Sequence, residues 1–583
     1  MSRRALVLTV FLGLAIALVG AQSWTVAVER VQQRVVALIE ARTGLTVDKI
    51  ERAEIAFLPL PRISLSNVSF RHGETLSGTA LRVRARARLL PLIAGRMDVA
   101  RIDFTAPEIS VAATGGGDTL ADWLAPPLAQ LSRLQDQGKI VVTGGSVFIR
   151  SAGAIQTVLR NVNLVADERL AQEPLLLSGS LNWRGVPTDF SLIWPTGSSH
   201  SRLALNITAA PMRLSFDGTR SGETEPVING PVSMSTRSLP ELLSWFGETS
   251  RMASAIGALT LTGDAQIKPN DISLNNLIAD LDGEKLVGAV KLGLTGSRSA
   301  ISGTLAGAQL DLGRLYQRLA VVTPASDDTA QLPFAEWTAQ DVDLRISVDA
   351  ARAFGLRLGD VATYLLVKQG RFEAGLLRGN AYGGSARGRL LAVTAPTGVD
   401  VKFQAALDKV NFGEMSADIP SLSRFGGTGG AQLALDGIGR SASEIIGSTS
   451  GKGSVSLRQG EIDGFAFGEL LRRLERNPTL ALRDWRKGKS AFNTAQATVS
   501  VASGIATLSD TQMAGTAFRL VVSGNAALPT GQIDLTAQLS PVGSGPTLPL
   551  RLRGDWTAPE LQLELGNGPA STGTTGLLPV PTR

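Results

Sequence analysis

Alternation between apolar and polar residues dominates this chain from about residue 47 onward. It is most regular at residues 81–89 and 341–349, where every second position is apolar. Because successive side chains of a strand point to opposite faces, a period of two predicts β-strands with one apolar and one polar face. Turn-forming Gly, Pro, Asn and Asp recur about every 8–12 residues, a spacing typical of an antiparallel array.

A helical period occurs in only a few segments. Apolar residues three and four apart predict helices at residues 24–42, 118–134, 239–246 and 465–474. Ser238 is a suitable N-cap for the third of these, and Ser441 or Ser443 is a suitable cap for a further turn. The predicted fold after the N-terminus is therefore mainly β: an elongated antiparallel β groove, or taco-like array, with a few short helices.

The first uncharged run, residues 5–28, predicts an N-terminal transmembrane helix. As a helix it would be about 36 Å long, enough to cross a hydrocarbon core of about 30 Å. Arg3 and Arg4 precede it, and Trp24 stands where an interfacial aromatic residue is expected. The positive-inside rule then places the rest of the chain across the membrane. A cleaved signal peptide, with cleavage near Ala21, is the competing interpretation, and it also predicts export.

Breaks in the pattern divide the predicted fold into five parts. These are an anchor at residues 1–28, an N-terminal β domain at 29–200, a middle β segment at 201–322, a C-terminal β domain at 334–566 and a disordered tail at 567–583. A polar stretch ending in Pro precedes the C-terminal domain, and the tail is rich in Gly, Thr and Pro.

Charge and composition narrow the expected partners. The net charge is +6, yet residues 1–100 alone hold 13 Arg and one Lys against five Glu and two Asp. This basic excess lies next to the predicted anchor, which argues against nucleic acid and favours either contact with an anionic membrane surface or simply the membrane topology. The chain has no cysteine, so its stability must come from burial and hydrogen bonding rather than from disulfides.

Residues that could carry out catalysis are scarce. His72 and His200 are the two histidines, and the absence of cysteine excludes a His/Cys zinc site and a cysteine nucleophile. Residues 447–453 imitate a phosphate-binding loop, but the first Gly is one residue too close to the Lys, and Gly453 replaces the required Ser or Thr. These residues are predicted to form a turn. We expect no enzyme activity, no catalytic residues, no metal and no cofactor.

Two rows of side chains are the candidate binding residues. The first row consists of Val342, Leu344, Ile346 and Val348. It is either the core of a closed sandwich or the lining of an open groove that takes acyl chains, and the low aromatic content of 5% favours the groove. The second row consists of Arg82, Arg84, Arg86 and Arg88. It is either a solvated strand face that prevents aggregation or a contact surface for anionic headgroups.

Further motifs lie in both halves of the chain. In the N-terminal half they are the uncharged run and residues 41–44, 57–65 and 89–96. In the C-terminal half they are residues 382–384, 426–436, 441–447, 453–457 and 460–465. In this order the motifs resemble those of the AsmA-like family of Gram-negative envelope proteins, and the resemblance covers about two-thirds of the chain.

The resemblance implies a single-pass inner-membrane protein with its bulk in the periplasm and a hydrophobic-lined β groove, as in bridge-like lipid-transfer proteins. It implies phospholipid transport and a role in outer-membrane biogenesis and cell-envelope homeostasis. The expected partners are membrane phospholipids, the inner membrane and an outer-membrane or periplasmic protein. The alternative is a periplasmic scaffold or assembly factor for outer-membrane proteins that conducts no lipid, and an envelope hydrolase ranks third.

Overall fold

In the computed structural model of the protein, the described residues fall into many segments. They are 24–26, 46–58, 60–72, 76–88, 91, 99–112, 139–151, 154–167, 174–195, 201–222, 227–247, 256–293, 298, 300–314, 330–353, 355–419, 425–476, 488–545, 547–556 and 560–563. The chain divides into two compact units, Met1–Thr295 (unit 1) and Gly296–Arg583 (unit 2). Both consist mainly of β-strands with a few short helices, which confirms the predicted mainly β class.

The strands of unit 1 alternate apolar and polar residues, as their sequences predict. They are β1 (Trp24–Val26), β2 (Thr46–Lys49), β3 (Arg52–Ala56), β4 (Arg62–His72), β5 (Leu76–Ala87), β6 (Val99–Ala112), β7 (Lys139–Ser151), β8 (Ala154–Asp167), β9 (Leu175–Trp183), β10 (Val186–Trp194), β11 (Ser201–Ala209), β12 (Arg213–Ser221), β13 (Val227–Thr236), β14 (Leu259–Ile267), β15 (Asp271–Leu281) and β16 (Glu284–Gly293). A core cluster lies on one face of β2 to β6 and includes Ala53, Leu65, Val83 and Ile102.

The strands of unit 2 follow one another in the sheet in chain order. They are β17 (Ala300–Asp311), β18 (Asp341–Ala353), β19 (Leu356–Lys368), β20 (Arg371–Ala381), β21 (Gly384–Ala395), β22 (Gly398–Asn411), β23 (Thr428–Gly439), β24 (Ser450–Asp463), β25 (Lys489–Ala502), β26 (Ile505–Gly515), β27 (Phe518–Ala527), β28 (Gln532–Pro541), β29 (Leu548–Asp555) and β30 (Glu560–Leu563).

Each unit contains one parallel strand pair among its described strands. β6 pairs in parallel with β7 in unit 1, and β17 pairs in parallel with β18 in unit 2. The other described pairs are antiparallel. A parallel pair requires a long crossover rather than a tight turn, which the short-range turn pattern does not reveal. The predicted antiparallel array is therefore correct apart from these two pairs.

Five helices have described bounds, and sequence signals predict three of them. They are α1 (Leu239–Phe246), α2 (Phe334–Trp337), α3 (Phe412–Asp418), α4 (Ala442–Ser448) and α5 (Phe467–Arg476). Ser238 caps α1 and Ser441 caps α4, because each hydroxyl oxygen accepts a hydrogen bond from the backbone N–H three residues later, at 3.3 and 3.2 Å. The predicted turn at residues 447–453 instead joins the end of α4 to β24.

The N-terminal end differs from the prediction where it is described. Residues 24–26 form strand β1, in which Trp24 pairs with Ile55 of β3. The transmembrane helix predicted to extend to residue 28 and the helix predicted from residue 24 are therefore wrong at these positions. The remaining anchor residues, the segment 118–134 and the tail 567–583 lie outside the described residues. No helix in the described part of the chain is long and apolar enough to cross a membrane.

Bulges interrupt the alternation within many strands. Asn276, Asp360 and Lys409 have positive φ angles of 49°, 47° and 55°, and each lies beside a register shift between neighbouring strands. A bulge of this kind bends its strand and changes which positions face the core beyond it. On β19, for example, Leu358 and Val361 are both buried although they are three residues apart, and Asp360 lies between them.

Candidate functional site

One face of the sheet in unit 2 is apolar from β17 to β29. Directly paired residues lie on the same face of a sheet, so the register traces rows that cross the strands. The first row consists of Gly303, Leu344, Leu365, Ala374, Leu390, Phe403, Leu435, Gly451, Val501, Ala506, Ala526, Ile533 and Gly554. The second consists of Leu305, Ile346, Thr363, Leu376, Gly388, Ala405, Leu433, Gly453, Val499, Leu508, Gly524, Leu535 and Leu552. Neither row contains a charged residue.

The opposite face of the same strands is largely polar. The row between the two apolar rows consists of Thr304, Arg345, Tyr364, Gly375, Arg389, Gln404, Ala434, Lys452, Ser500, Thr507, Asn525, Asp534 and Arg553. The contrast between the faces therefore persists across thirteen strands. It is a property of the sheet rather than of a single strand.

Large side chains on the apolar face remain partly exposed. Phe403, Leu433 and Val455 are 38%, 37% and 36% exposed. Scattered exposed apolar residues are normal, but here Phe403 and Leu433 belong to the two apolar rows, and Val455 lies on the same face of β24 as Gly453. Such a continuous apolar surface typically marks a binding site. We call this face of β17 to β29 the apolar trough.

A cavity lies in the trough at strands β24 to β29. Its volume is about 450 Å³, within the range of ligand pockets. Its lining includes Val455, Leu508, Leu520, Val522, Leu535 and Leu552. Leu508, Leu535 and Leu552 belong to the second apolar row, so the cavity is a deeper part of the surface that begins at β17.

Helix α5 packs over one end of this cavity. Phe467 is buried and its ring centroid lies 5.3 Å from that of Phe518, while Leu470 and Leu539 are fully buried. Ser490 fixes the start of the helix, because its Oγ accepts a hydrogen bond from the Phe467 N–H at 2.8 Å and donates one to the Phe465 carbonyl at 2.7 Å. Helix α5 thus covers one edge of the trough, at the strand ends of β25, β27 and β28.

The predicted groove residues of β18 lie on the trough face. Val342, Leu344 and Ile346 are half-buried, and Val348 is buried at 2% exposure. Leu344 and Ile346 belong to the two rows that lead to the cavity strands. Contact between these residues and lipid remains a prediction.

A charged cluster lies on the polar face behind the trough. The Tyr364 hydroxyl donates to Glu373 Oε1 at 2.7 Å, and Arg371 and Arg389 donate to the same carboxylate at 2.6 and 2.8 Å. The hydrogen bond from Tyr364, followed by those from the two arginines, lowers the pKa of Glu373 to about 2 although desolvation opposes the shift.

The predicted headgroup residues lie in unit 1. Arg82, Arg84 and Arg86 share one face of β5, and Arg88 follows the end of the strand. Across the strands, Arg86 pairs directly with Arg62 of β4 and with Arg101 of β6, and Arg101 pairs with Lys139 of β7. We call Arg62, Arg86, Arg101 and Lys139 the basic row.

Sequence reasoning found the arginines of β5 but missed the rest of the basic row. Arg82 to Arg88 alternate within one strand, so their common face is evident locally. Arg62, Arg101 and Lys139 each come from another strand, and the register between strands brings them alongside Arg86. Lys139 reaches its place through a parallel pair that the turn pattern does not predict.

Acidic clusters of the kind that bind metal are absent from the part of the chain that the structure describes. No group of three or more His, Asp and Glu side chains there could hold a metal ion. The expectations of no cofactor and no enzyme activity remain predictions.

Comparison with known protein families gives a match to part of the chain. The model of the AsmA family matches residues 270–511, which begin just before β15 and end within β26. No curated protein and no solved structure matches the chain. The matched residues include most of the strands that carry the two apolar rows, and the match confirms the resemblance predicted from the motifs. Over residues 270–511, the chain is therefore similar to the AsmA family.

Proposed function

We propose that this AsmA-like protein binds phospholipid acyl chains in the apolar trough and supports phospholipid transport for outer-membrane assembly and homeostasis. The observation that carries the proposal is the pair of charge-free rows crossing thirteen strands, with partly exposed apolar side chains at Phe403 and Leu433. A closed core would bury such residues, whereas acyl chains would cover them while headgroups remain in water.

The mechanism needs no covalent chemistry. Each methylene that leaves water for the trough stabilises the complex by about 0.8 kcal/mol, so an acyl chain has a strong preference for the apolar rows. Because the rows have no charged member, neighbouring positions offer similar environments, and a chain can move from strand to strand without crossing a polar barrier. In this proposal the protein is anchored in the inner membrane by its N-terminal run, with its bulk in the periplasm, and is not an enzyme.

Site-specific photocrosslinking in cells tests the proposal. A photoreactive phenylalanine analogue is placed at Val455, which lines the cavity, or at Ser456, its exposed neighbour on the other face of β24. We expect mass spectrometry to find a phospholipid adduct at position 455 and little or none at position 456. Equal adducts at both positions, or none at 455, would contradict lipid binding in the trough.

The same experiment addresses the alternative of a periplasmic scaffold. A scaffold that conducts no lipid would give protein adducts at position 455 in place of phospholipid adducts. We favour the lipid-binding function because two charge-free rows that cross thirteen strands suit acyl chains along their whole length.

A further inference from the structure

The basic row places four cations side by side. Arg62, Arg86, Arg101 and Lys139 are direct partners across β4 to β7. Directly opposed residues have Cβ atoms about 4.5–5.5 Å apart, and like charges at this separation destabilise a sheet. Negative charge close to this row of four cations would therefore offset their mutual repulsion.

Carboxylates on the same face supply only part of that charge. Asp103 accepts from Arg101 Nε at 2.6 Å and lies 3.4 Å from Arg86 Nη2, while Asp167 lies 3.3 Å from Lys139. Basic residues still outnumber acidic ones on this part of β3 to β8. In addition to the basic row, this face carries three arginines, Arg52, Arg82 and Arg84. Its acidic residues are Glu54, Asp103 and Asp167.

We call the face of β3 to β8 that carries the basic row the basic face. Its side chains are accessible to solvent and point away from the core. The side chains of Arg86, Arg101 and Lys139 are 37%, 35% and 38% exposed. The other face of the same strands is the core cluster that contains Leu65 and Val83. The cations are therefore held at a surface whose interior side is already filled.

We propose that this face docks unit 1 onto an anionic phospholipid bilayer. The basic row spans about 14 Å across four strands and is part of a sheet face rather than a pocket, so it matches a plane of many phosphates better than one enclosed headgroup. The docking site lies in unit 1 and the apolar trough in unit 2, and the two rest on separate observations.

A charge-removal variant with a matched control tests the docking. The test variant combines Arg62→Gln, Arg82→Gln and Arg84→Gln, whose side chains make no ion pair with a described residue. The control combines Arg345→Gln, Arg378→Gln and Arg387→Gln, which are exposed in unit 2 and remove the same charge. The full chain has no cysteine, so Thr105→Cys, exposed on the basic face, provides a single site for a fluorophore.

The labelled full chain is reconstituted into phosphatidylcholine vesicles with or without phosphatidylglycerol, and quenching by an aqueous quencher is measured. We expect the label to be protected only when phosphatidylglycerol is present, and high salt to remove the protection. The equilibrium constant for docking should fall roughly fivefold for each arginine removed in the test variant. It should stay unchanged in the control.

Two results would overturn the proposal: equal protection in vesicles without phosphatidylglycerol, or equal behaviour of the test and control variants. Thermal melting checks that the test variant folds, and removing mutually repelling charges should not lower its Tm. If it fails to fold, the salt titration of the unaltered chain decides, since salt-independent protection contradicts docking by charge. The lipid adduct at position 455 should persist in the test variant, so failure of docking and failure of lipid binding are distinguishable.

Discussion

At the residue scale, two neighbours on the apolar face of β18 differ in burial and should differ in their response to a charge. Val348 is 2% exposed, whereas Leu344 is half-buried in the first apolar row. Val348→Asp would bury a carboxylate without a partner, and we expect it to lower the free energy of unfolding by on the order of 4 kcal/mol. Leu344→Asp leaves its charge within reach of water and should cost about 1 kcal/mol or less. Thermal melting of both variants measures the difference.

Lipid content completes this comparison. Leu344→Asp should remain folded while losing lipid, because a charge in the row interrupts the apolar path. A collapse of both variants on melting would mean that the rows are the core of a closed sandwich and not an open trough.

Glu373 predicts a pH dependence of stability. Its pKa is lowered to about 2 in the folded protein, so its contribution is present above the unfolded pKa of about 4.3 and is lost as pH falls toward 2. Glu373→Gln should therefore lower the free energy of unfolding by about 2 kcal/mol at neutral pH, a value reduced by solvent screening of its partly exposed arginine partners. The difference between variant and parent should vanish near pH 2 in urea unfolding curves. A difference that stays constant with pH would show that the carboxylate charge does not contribute.

At the scale of secondary-structure elements, helix starts and strand positions could be predicted, because each depends on residues close together in the sequence. Ser238 and Ser441 mark the starts of α1 and α4, and strand alternation locates most strands. The bulge at Lys409 escapes prediction, because lysine does not signal a positive φ and the bulge depends on the neighbouring strands. The apolar face of β18 was evident from its sequence. Its continuity from Ile346 through Leu433 to the cavity-lining Leu508 depends on the register between strands, which the sequence of one strand does not reveal.

Helix α5 gives a prediction about the covered edge of the trough. Leu470 is fully buried, so Leu470→Ala should leave a void and cost about 2–4 kcal/mol. Arg472 lies on the exposed side of the same helix, and Arg472→Ala should cost less than about 1 kcal/mol. Urea unfolding compares the two. Similar losses for both would argue that α5 does not pack on the trough as a cover.

At the scale of the whole molecule, the proposed activities belong to separate units. The trough in unit 2 needs a continuous apolar face but no net charge, while the basic face in unit 1 needs exposed cations over a filled core. This arrangement explains why the basic excess is confined to the first part of the sequence. In the two proposals, the charge of unit 1 would hold the protein at a bilayer while the apolar face of unit 2 binds lipid.

The N-terminal run provides the last prediction, which concerns how the whole chain is held. Because residues 24–26 pair with β3, a membrane helix would have to end before Trp24. A helix over residues 5–23 would still be about 28 Å long, close to the hydrocarbon thickness of about 30 Å. We therefore expect the run to be retained as an anchor, and N-terminal sequencing of the membrane fraction should begin at or near Met1. A soluble mature chain that begins at Gln22 would contradict this, since β1 would survive cleavage while the membrane attachment would not.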